Sequence, residues 1–256
     1  MLKKNVIKKK LLNKEVVFGM LNSTPLPLIV EMTGYAGYDF IILDQEHLLR
    51  DAVELEHSIR AAECAGITPF VRVPAATPFF IQRALDAGAQ GIVIPRVENA
   101  AQTELACKAC RYAPHGTRGI TGGRNTGFGY LSLNEYTRSA DQEIMLVLMI
   151  ESKVGVENLD EILSVAGIDM ILEGAMDLSF SLGHQSQIQH PQVQQAIKSI
   201  AEKCSRYEIP FCAIPRTEGQ LTYWRQQQVN AFVAGEDRGI LFRALKSHLY
   251  QMKNEL

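Results

Sequence analysis

Carboxylates that close apolar runs set the chemistry to look for in this chain. MLVLMI stops at Glu151, FIILD closes on Asp44 with Glu46 and His47 behind it, and MILEG carries Glu173 and leads to Asp177. A carboxylate directly after a buried apolar run is costly unless a cation or hydrogen-bond donors meet it. Glu151 and Asp177 together suit a hard divalent ion, Mg2+ or Mn2+, whose other positions are filled by water and substrate oxygens. The competing reading is that both carboxylates pair with arginines at the same rim. No histidine or cysteine stands at an equivalent place, so a zinc cage is not expected.

Two further residue types complete a possible reaction centre. His47 could act as a general base oriented by Asp44 or Asp86, imidazole being the side chain suited to that work near neutral pH. Arg72, which closes FVR, could take a substrate carboxylate or a developing enolate oxygen, or serve only as a salt bridge at the rim. A stretch beginning at His115, HGTRGITGGRNTGFGYLSLNEY, holds six glycines and two arginines. It matches neither the phosphate-binding loop nor a dinucleotide fingerprint. It reads instead as a loop over the site, with Arg118 or Arg124 facing an anionic substrate.

The elements that position these residues follow from the apolar pattern. Eight short runs recur: VVFGML, FIILD, PFVRVP, GIVIP, IMLVLMIE, MILEG, PFCAIP and AFVAG. Each is apolar nearly throughout and bounded by Gly, Pro or polar residues, as strands buried on both faces are. Stretches with apolar residues at three- and four-residue intervals lie between them, among them RDAVELEHSIRAAECAG and HPQVQQAIKSIAEKCSRYE, several ending in Gly. Eight strand–helix pairs predict an α/β fold, a (β/α)8 TIM barrel forming one domain over residues 1–256, with a doubly wound open sheet as the alternative. In such a barrel the chemistry gathers at the C-terminal ends of the strands, where Asp44, His47, Arg72, Glu151 and Asp177 fall.

Composition narrows the function classes. The 256 residues are 46% hydrophobic and 21% charged, with a net charge of −2, an ordinary globular composition that argues against nucleic acid as a partner. No apolar run approaches membrane-spanning length. Residues 1–15 form a basic lead-in with six lysines, expected as a solvated helix whose apolar stripe is Leu2, Val6, Leu11 and Leu12. It lacks the features of a signal peptide. Five cysteines, including an isolated Cys107/Cys110 pair, fit no closed disulfide framework and read as reduced thiols in a cytoplasmic protein.

Six ordered motifs carry a family resemblance: GYDFIILDQEH, FVRVP, IQRALDAGAQGIVIPRVE, PHGTRG, MIESKVGVENLDEI and GAMDLSFSLG. Over about residues 15–245 the chain resembles the metal-dependent class II 2-oxo-acid aldolases typified by 4-hydroxy-2-oxoheptanedioate aldolase. That group is related to citrate lyase β-subunits and malyl-CoA lyases. The resemblance implies cleavage of 4-hydroxy-2-oxo acids through a pyruvate-type enolate held by a divalent metal, without a Schiff-base lysine. It implies Glu151 and Asp177 as metal ligands, Arg72 on the oxo acid, and His47 as proton relay supported by Asp44 or Asp86. Backbone amides over Gly174, Ala175, Met176 and Asp177 would receive the oxo-acid carboxylate. It also implies a homo-oligomer, a dimer or a hexamer built from dimers, whose subunits exchange the last helix, here within residues 238–256.

Two positions depart from the family pattern. Met149 stands where the family has Gln, and Gly174-Ala175-Met176-Asp177 replaces Gly-Pro-x-Asp, preceded by Glu173 in place of an apolar residue. These departures bring in a second reading. Some members resemble a citrate synthase of siderophore biosynthesis that condenses oxaloacetate with acetyl-CoA, and basic residues of the long loop would then meet the CoA phosphates. A third reading is an inactive barrel kept for metabolite binding.

Overall fold

Along residues 3–24, 26–48 and 51–255, which this computed structural model describes, strands and helices alternate. In chain order they are α1 (Val6–Leu12), β1 (Val17–Asn22), α2 (Pro27–Tyr35), β2 (Phe40–Asp44), α3 (Ala52–Ala65) and β3 (Thr68–Arg72). Then follow α4 (Pro78–Ala87), β4 (Gly91–Ile94), α5 (Ala100–Cys110), α6 (Leu133–Glu143), β5 (Met145–Ile150), α7 (Lys153–Glu157) and α8 (Leu159–Leu163). The rest are β6 (Met170–Glu173), α9 (Ala175–Ser181), α10 (Pro191–Arg206), β7 (Phe211–Ala213), α11 (Gln220–Gln226), β8 (Ala231–Glu236) and α12 (Asp237–Lys253). Each strand pairs in parallel with the next and β8 returns to β1. An open doubly wound sheet would keep two free edges, so closure decides for the (β/α)8 barrel. Leu2 of the expected apolar stripe, Pro25, Leu49, Arg50 and Leu256 lie outside the described residues.

Side chains on a strand alternate between its two faces, and the buried residues sort accordingly. Phe40, Ile42, Phe70, Val147, Met149 and Met170 share one cluster made almost wholly of strand residues, which is the barrel lumen. Ile41, Leu43, Val71 and Ile150 join helix residues such as Ile59, Ile81 and Ile197 in the layer between strands and helices. The same alternation puts Asp44, Arg72 and Glu151 on the lumen side at the C-terminal rim, one step beyond the last apolar lumen residue of their strands. Helices end where the sequence says they should: α3 stops at Gly66 in the left-handed conformation (φ 76°), which costs a residue without a Cβ nothing.

Three expectations are corrected. The N-terminal helix is not merely a solvated lead-in. Ile7, outside the expected stripe, is fully buried in the lumen cluster with Leu11 against it, while Val6 and Leu12 are exposed. Asn5 caps α1 and donates to the carbonyls of Gln90 (3.1 Å) and Glu143 (3.0 Å), and Lys8 and Lys10 pair with Asp169 (2.8 Å) and Asp39 (2.5 Å). A two-turn helix seated across a narrow opening inserts one apolar side chain, not a whole stripe. Helix α1 thereby stoppers the N-terminal end of the barrel.

The glycine-rich stretch is the second correction. Helix α5 follows β4 directly and carries the chain back to the N-terminal end of the strands before that stretch begins. Part of it is helical, α6, started by Ser132 and Glu135 in a capping box. The remainder lies along α4, where Asn125 donates to the carbonyls of Leu85 (2.8 Å) and Asp86 (3.1 Å). Third, GVENLDEILSVAG, whose apolar spacing predicts one helix, lies across a break at Asn158 between α7 and α8.

The last helix is pinned only at its start. Asp237, its one buried residue, accepts from Asn22 Nδ2 (2.7 Å) and the amides of Ser23 (2.8 Å) and Thr24 (3.0 Å). Beyond it, Leu241, Phe242, Leu245 and Leu249 are exposed. Among the described residues no helix is long and apolar enough to cross a membrane.

Candidate active site at the barrel mouth

Arg72 is the organising cation. Its Nε donates to Asp44 Oδ1 (2.9 Å) and its Nη2 meets Asp44 Oδ2 (2.8 Å), a two-point clamp across neighbouring strands in register. Nη1 lies 3.1 Å from Glu46 Oε2 and 3.9 Å from the Met149 sulfur. A thioether is a weak acceptor, so Met149 leaves the Nη1 hydrogen that faces it largely uncommitted. Burial alone would raise the Asp44 carboxyl, but the hydrogen bond and charge of Arg72 outweigh it and hold the group below its ordinary value. Glu46 goes the other way, because burial exceeds the help it receives from Arg72 and His47.

Glu151 projects from the end of β5 into the same space. Its Oε1 accepts the backbone amide of Arg96 (2.8 Å). A Cβ on residue 174 would stand 2.3 Å from Glu151 Oε2, so the glycine there is dictated by the carboxylate beside it. Burial, backed by repulsion from Glu46 and Asp177, pushes Glu151 up to about 7. Asp177 sits in the first turn of α9, where Gly174 as N-cap leaves the leading amides without a side-chain acceptor. Its Oδ1 receives the Arg96 guanidinium at 3.0 Å.

Asp44, Arg72, Glu151, Asp177 and residues 174–176 thus meet at one mouth, with His47 beside them. The imidazole is mostly exposed, with Nε2 3.7 Å from Glu46 Oε2. Asp86 is placed otherwise: it lies near the end of α4 with its carboxylate on Arg118 (2.9 Å). Arg118 is buried over the Tyr112 ring and donates to Tyr136 Oη. Arg124 does not face the mouth of its own chain, because its guanidinium is held by Glu63 (2.5 Å) and the Ala87 carbonyl (3.2 Å). Both arginines are bound at the wrong end of the barrel for the role the glycine-rich spacing suggested.

Two arginines escaped the sequence reading as site residues. Arg96 follows β4 in a left-handed conformation (φ 52°), uncommon for a residue with a side chain and often found at functional sites. Its place in the chain was visible, but nothing in the residue pattern says that this turn aims its amide at Glu151. Arg216, after β7, donates to Glu173 Oε2 (2.9 Å), and the Ile214 amide donates to Glu173 Oε1 (2.6 Å). Burial raises Glu173, offset in part by Arg216. Glu173 is thereby tied to the turn after β7 rather than to Glu151 and Asp177.

The mouth fits a divalent ion on charge. Four carboxylates (Asp44, Glu46, Glu151 and Asp177) share it with two guanidiniums (Arg72 and Arg96), so that with all four ionised the negative charges exceed the positive by two. Among the described residues no three of His, Cys, Asp and Glu converge to hold an ion alone. An ion held by Glu151 and Asp177 would therefore complete its shell with water and substrate oxygens, the usual arrangement for Mg2+.

The family described as HpcH/HpaI aldolase/citrate lyase matches residues 18–235. A hydroxypyruvate/pyruvate aldolase of Roseobacter denitrificans is 37% identical over 203 residues, 78% of each chain. A 5-keto-4-deoxy-D-glucarate aldolase of Escherichia coli is 32% identical over 246 residues, 96% of this chain and 95% of that one. Among solved structures, the citrate synthase SbnG superposes with a TM-score of 0.89 at 38% identity, covering 97% of this chain and 98% of the other. An HpcH/HpaI aldolase from Desulfitobacterium hafniense superposes with a TM-score of 0.91 at 28% identity, over 98% and 97% of the two chains.

Proposed function

The chain belongs to the HpcH/HpaI aldolase/citrate lyase family, and on that premise we propose that it is a metal-dependent carbon–carbon lyase acting on 4-hydroxy-2-oxo acids. The observation that carries the reading is the convergence of Arg72, clamped by Asp44, with Glu151 and Asp177 at the lumen-facing ends of neighbouring elements. Glu151 and Asp177 would hold Mg2+ or Mn2+, which when bound supplies Lewis acidity to the oxo-acid oxygens. Arg72 meets the keto oxygen with its uncommitted N–H groups and stabilises negative charge as the C3–C4 bond opens. The amides of residues 174–177 receive the substrate carboxylate. His47, exposed at the mouth and close to Glu46, takes the proton from the C4 hydroxyl at Nε2. Cleavage leaves an aldehyde and the enolate of pyruvate, which is then protonated.

Pyruvate release from a 4-hydroxy-2-oxo acid, followed by coupled lactate dehydrogenase and abolished by EDTA, is the expected result. No release with any such substrate in the presence of Mg2+ and Mn2+ would overturn the reading. A second reading has specific support: a citrate synthase matches at 38% identity over nearly the whole of both chains, and Met149 and Glu173 depart from the aldolase pattern. On this reading the same residues hold oxaloacetate, and a base enolises acetyl-CoA. Thiol release from acetyl-CoA only when oxaloacetate is present would select it. Arg118 and Arg124 of the same chain, held by Asp86 and Glu63, do not serve the CoA phosphates. Silence in both assays with oxo-acid binding intact would leave the inactive barrel.

The exposed apolar side chains of α12 support a homo-oligomer in which a second copy covers that helix. The five free thiols suit a reducing compartment, the cytoplasm.

A further inference from the structure

Arg96 touches both carboxylates read as the metal pair, through different atoms. Its backbone amide is fixed on Glu151 Oε1 (2.8 Å) by a left-handed turn, while its guanidinium reaches Asp177 Oδ1 by a single contact (3.0 Å). The root of the side chain is therefore held in place and its tip is free to leave. The tip is also two-thirds exposed, with the Arg96 and Asp177 side chains at 66% and 42%. An ion pair of that kind is worth little and is readily broken.

A guanidinium and a divalent ion cannot share Asp177 without strong like-charge repulsion at contact distance. We propose that Arg96 is a built-in cation that holds Asp177 in the metal-free enzyme, so that metal loading requires its guanidinium to swing off the carboxylate. The inference rests on the reading of Glu151 and Asp177 as the metal pair, and it adds a competitor within the chain. The site then has two states. In the closed state Arg96 neutralises Asp177 and prevents bare carboxylates from repelling one another across the mouth. In the open state Glu151 and Asp177 would hold the ion, and the guanidinium would project into solvent from the same turn. The metal affinity observed is the intrinsic affinity lowered by the displacement of the arginine, a competition set by the difference between the two states.

The test is calorimetric titration of Mn2+ into EDTA-stripped protein: wild type, Arg96→Ala, Arg96→Lys and Asp177→Asn. Alanine keeps the backbone amide on Glu151 and removes only the competitor. Arg96→Ala is expected to bind Mn2+ about fivefold more tightly or better, from loss of the exposed pair and of the repulsion. Arg96→Lys is expected to fall between alanine and wild type, because an ammonium still reaches Asp177. Asp177→Asn is expected to lose most of the affinity. Equal or weaker binding by Arg96→Ala, with wild-type binding intact, would overturn this inference and leave the metal reading standing. Absence of Mn2+ binding in wild type and Arg96→Ala alike would remove both. A melting-temperature rise on Mn2+ addition that is larger in Arg96→Ala than in wild type supports the proposal independently of activity.

Discussion

Two arginines meet two aspartates at the same barrel mouth, and their settings are opposite. Arg72 and Asp44 are joined by two contacts, with side chains 8% and 1% exposed. Arg96 and Asp177 share one contact, 66% and 42% exposed. The first pair lies on strands in register, inside the lumen, where each partner's charge would be ruinous without the other. The second joins a loop to the first turn of a short helix in water. Rigid and displaceable charge thus stand side by side: the lumen pair presents a guanidinium that does not move, and the rim pair keeps a carboxylate available to an incoming ion.

Stability should separate the two pairs most widely. Asp44→Ala leaves Arg72 buried with only Glu46 opposite and should cost about 3–5 kcal/mol in denaturant unfolding. Asp177→Ala should cost under about 1 kcal/mol. Equal costs would break the comparison. Turnover should separate the arginines next. Arg72→Lys keeps the charge but loses the two-point clamp, and should lower kcat about 10²–10³-fold, whereas Arg96→Lys should change kcat less than about fivefold.

A smaller effect follows from Glu151, pushed up to about 7 by burial and its acidic neighbours. A carboxyl held above its unfolded value carries a proton below that pH, and the proton must leave before a cation binds. Mn2+ affinity measured calorimetrically should therefore fall about tenfold per pH unit below 7 and level off above it. A flat profile from pH 5.5 to 8 would show that Glu151 does not hold the ion. The smallest effect concerns thiols, sorted by the same burial that sorts the ion pairs. Burial raises Cys107 to about 11 and Cys110 and Cys204 to about 12, and raises Cys212 as well, while Cys64 is exposed. A disulfide reagent at pH 8 should titrate one thiol quickly and the other four only after unfolding.

How far the molecule could be read from its residues follows the same division. The strands were legible because a parallel barrel buries both faces, and FIILD coincides with β2 residue for residue. Asp44, Arg72 and Glu151 were legible because alternation along a strand fixes which face a side chain takes once its neighbours are known. What depends on a turn was not legible. The role of Arg96 hangs on one left-handed residue, and Asp86 and Arg118 found each other through the fold of a long connection. The place of the glycine-rich stretch is not legible, because a count of residues between strands does not say where the intervening helix sits. The seat of Ile7 is not legible, because a seven-residue helix with apolar residues on more than one side has no single readable stripe.

Helix α1 has a consequence for the order of events. With Phe40, Phe70, Met145 and Met170 packed across the lumen and Ile7 seated in its N-terminal opening, everything that reaches Arg72 arrives from the mouth. On the lyase reading, the two fragments of a cleaved oxo acid would then depart in sequence. The aldehyde, nearer the solvent, leaves first, and the pyruvate seated against the buried guanidinium follows. Run backwards, the same geometry makes the oxo acid the leading substrate and its partner the trailing one. Initial-rate patterns should then be those of an ordered mechanism, with pyruvate competing directly against the intact oxo acid and the aldehyde inhibiting noncompetitively.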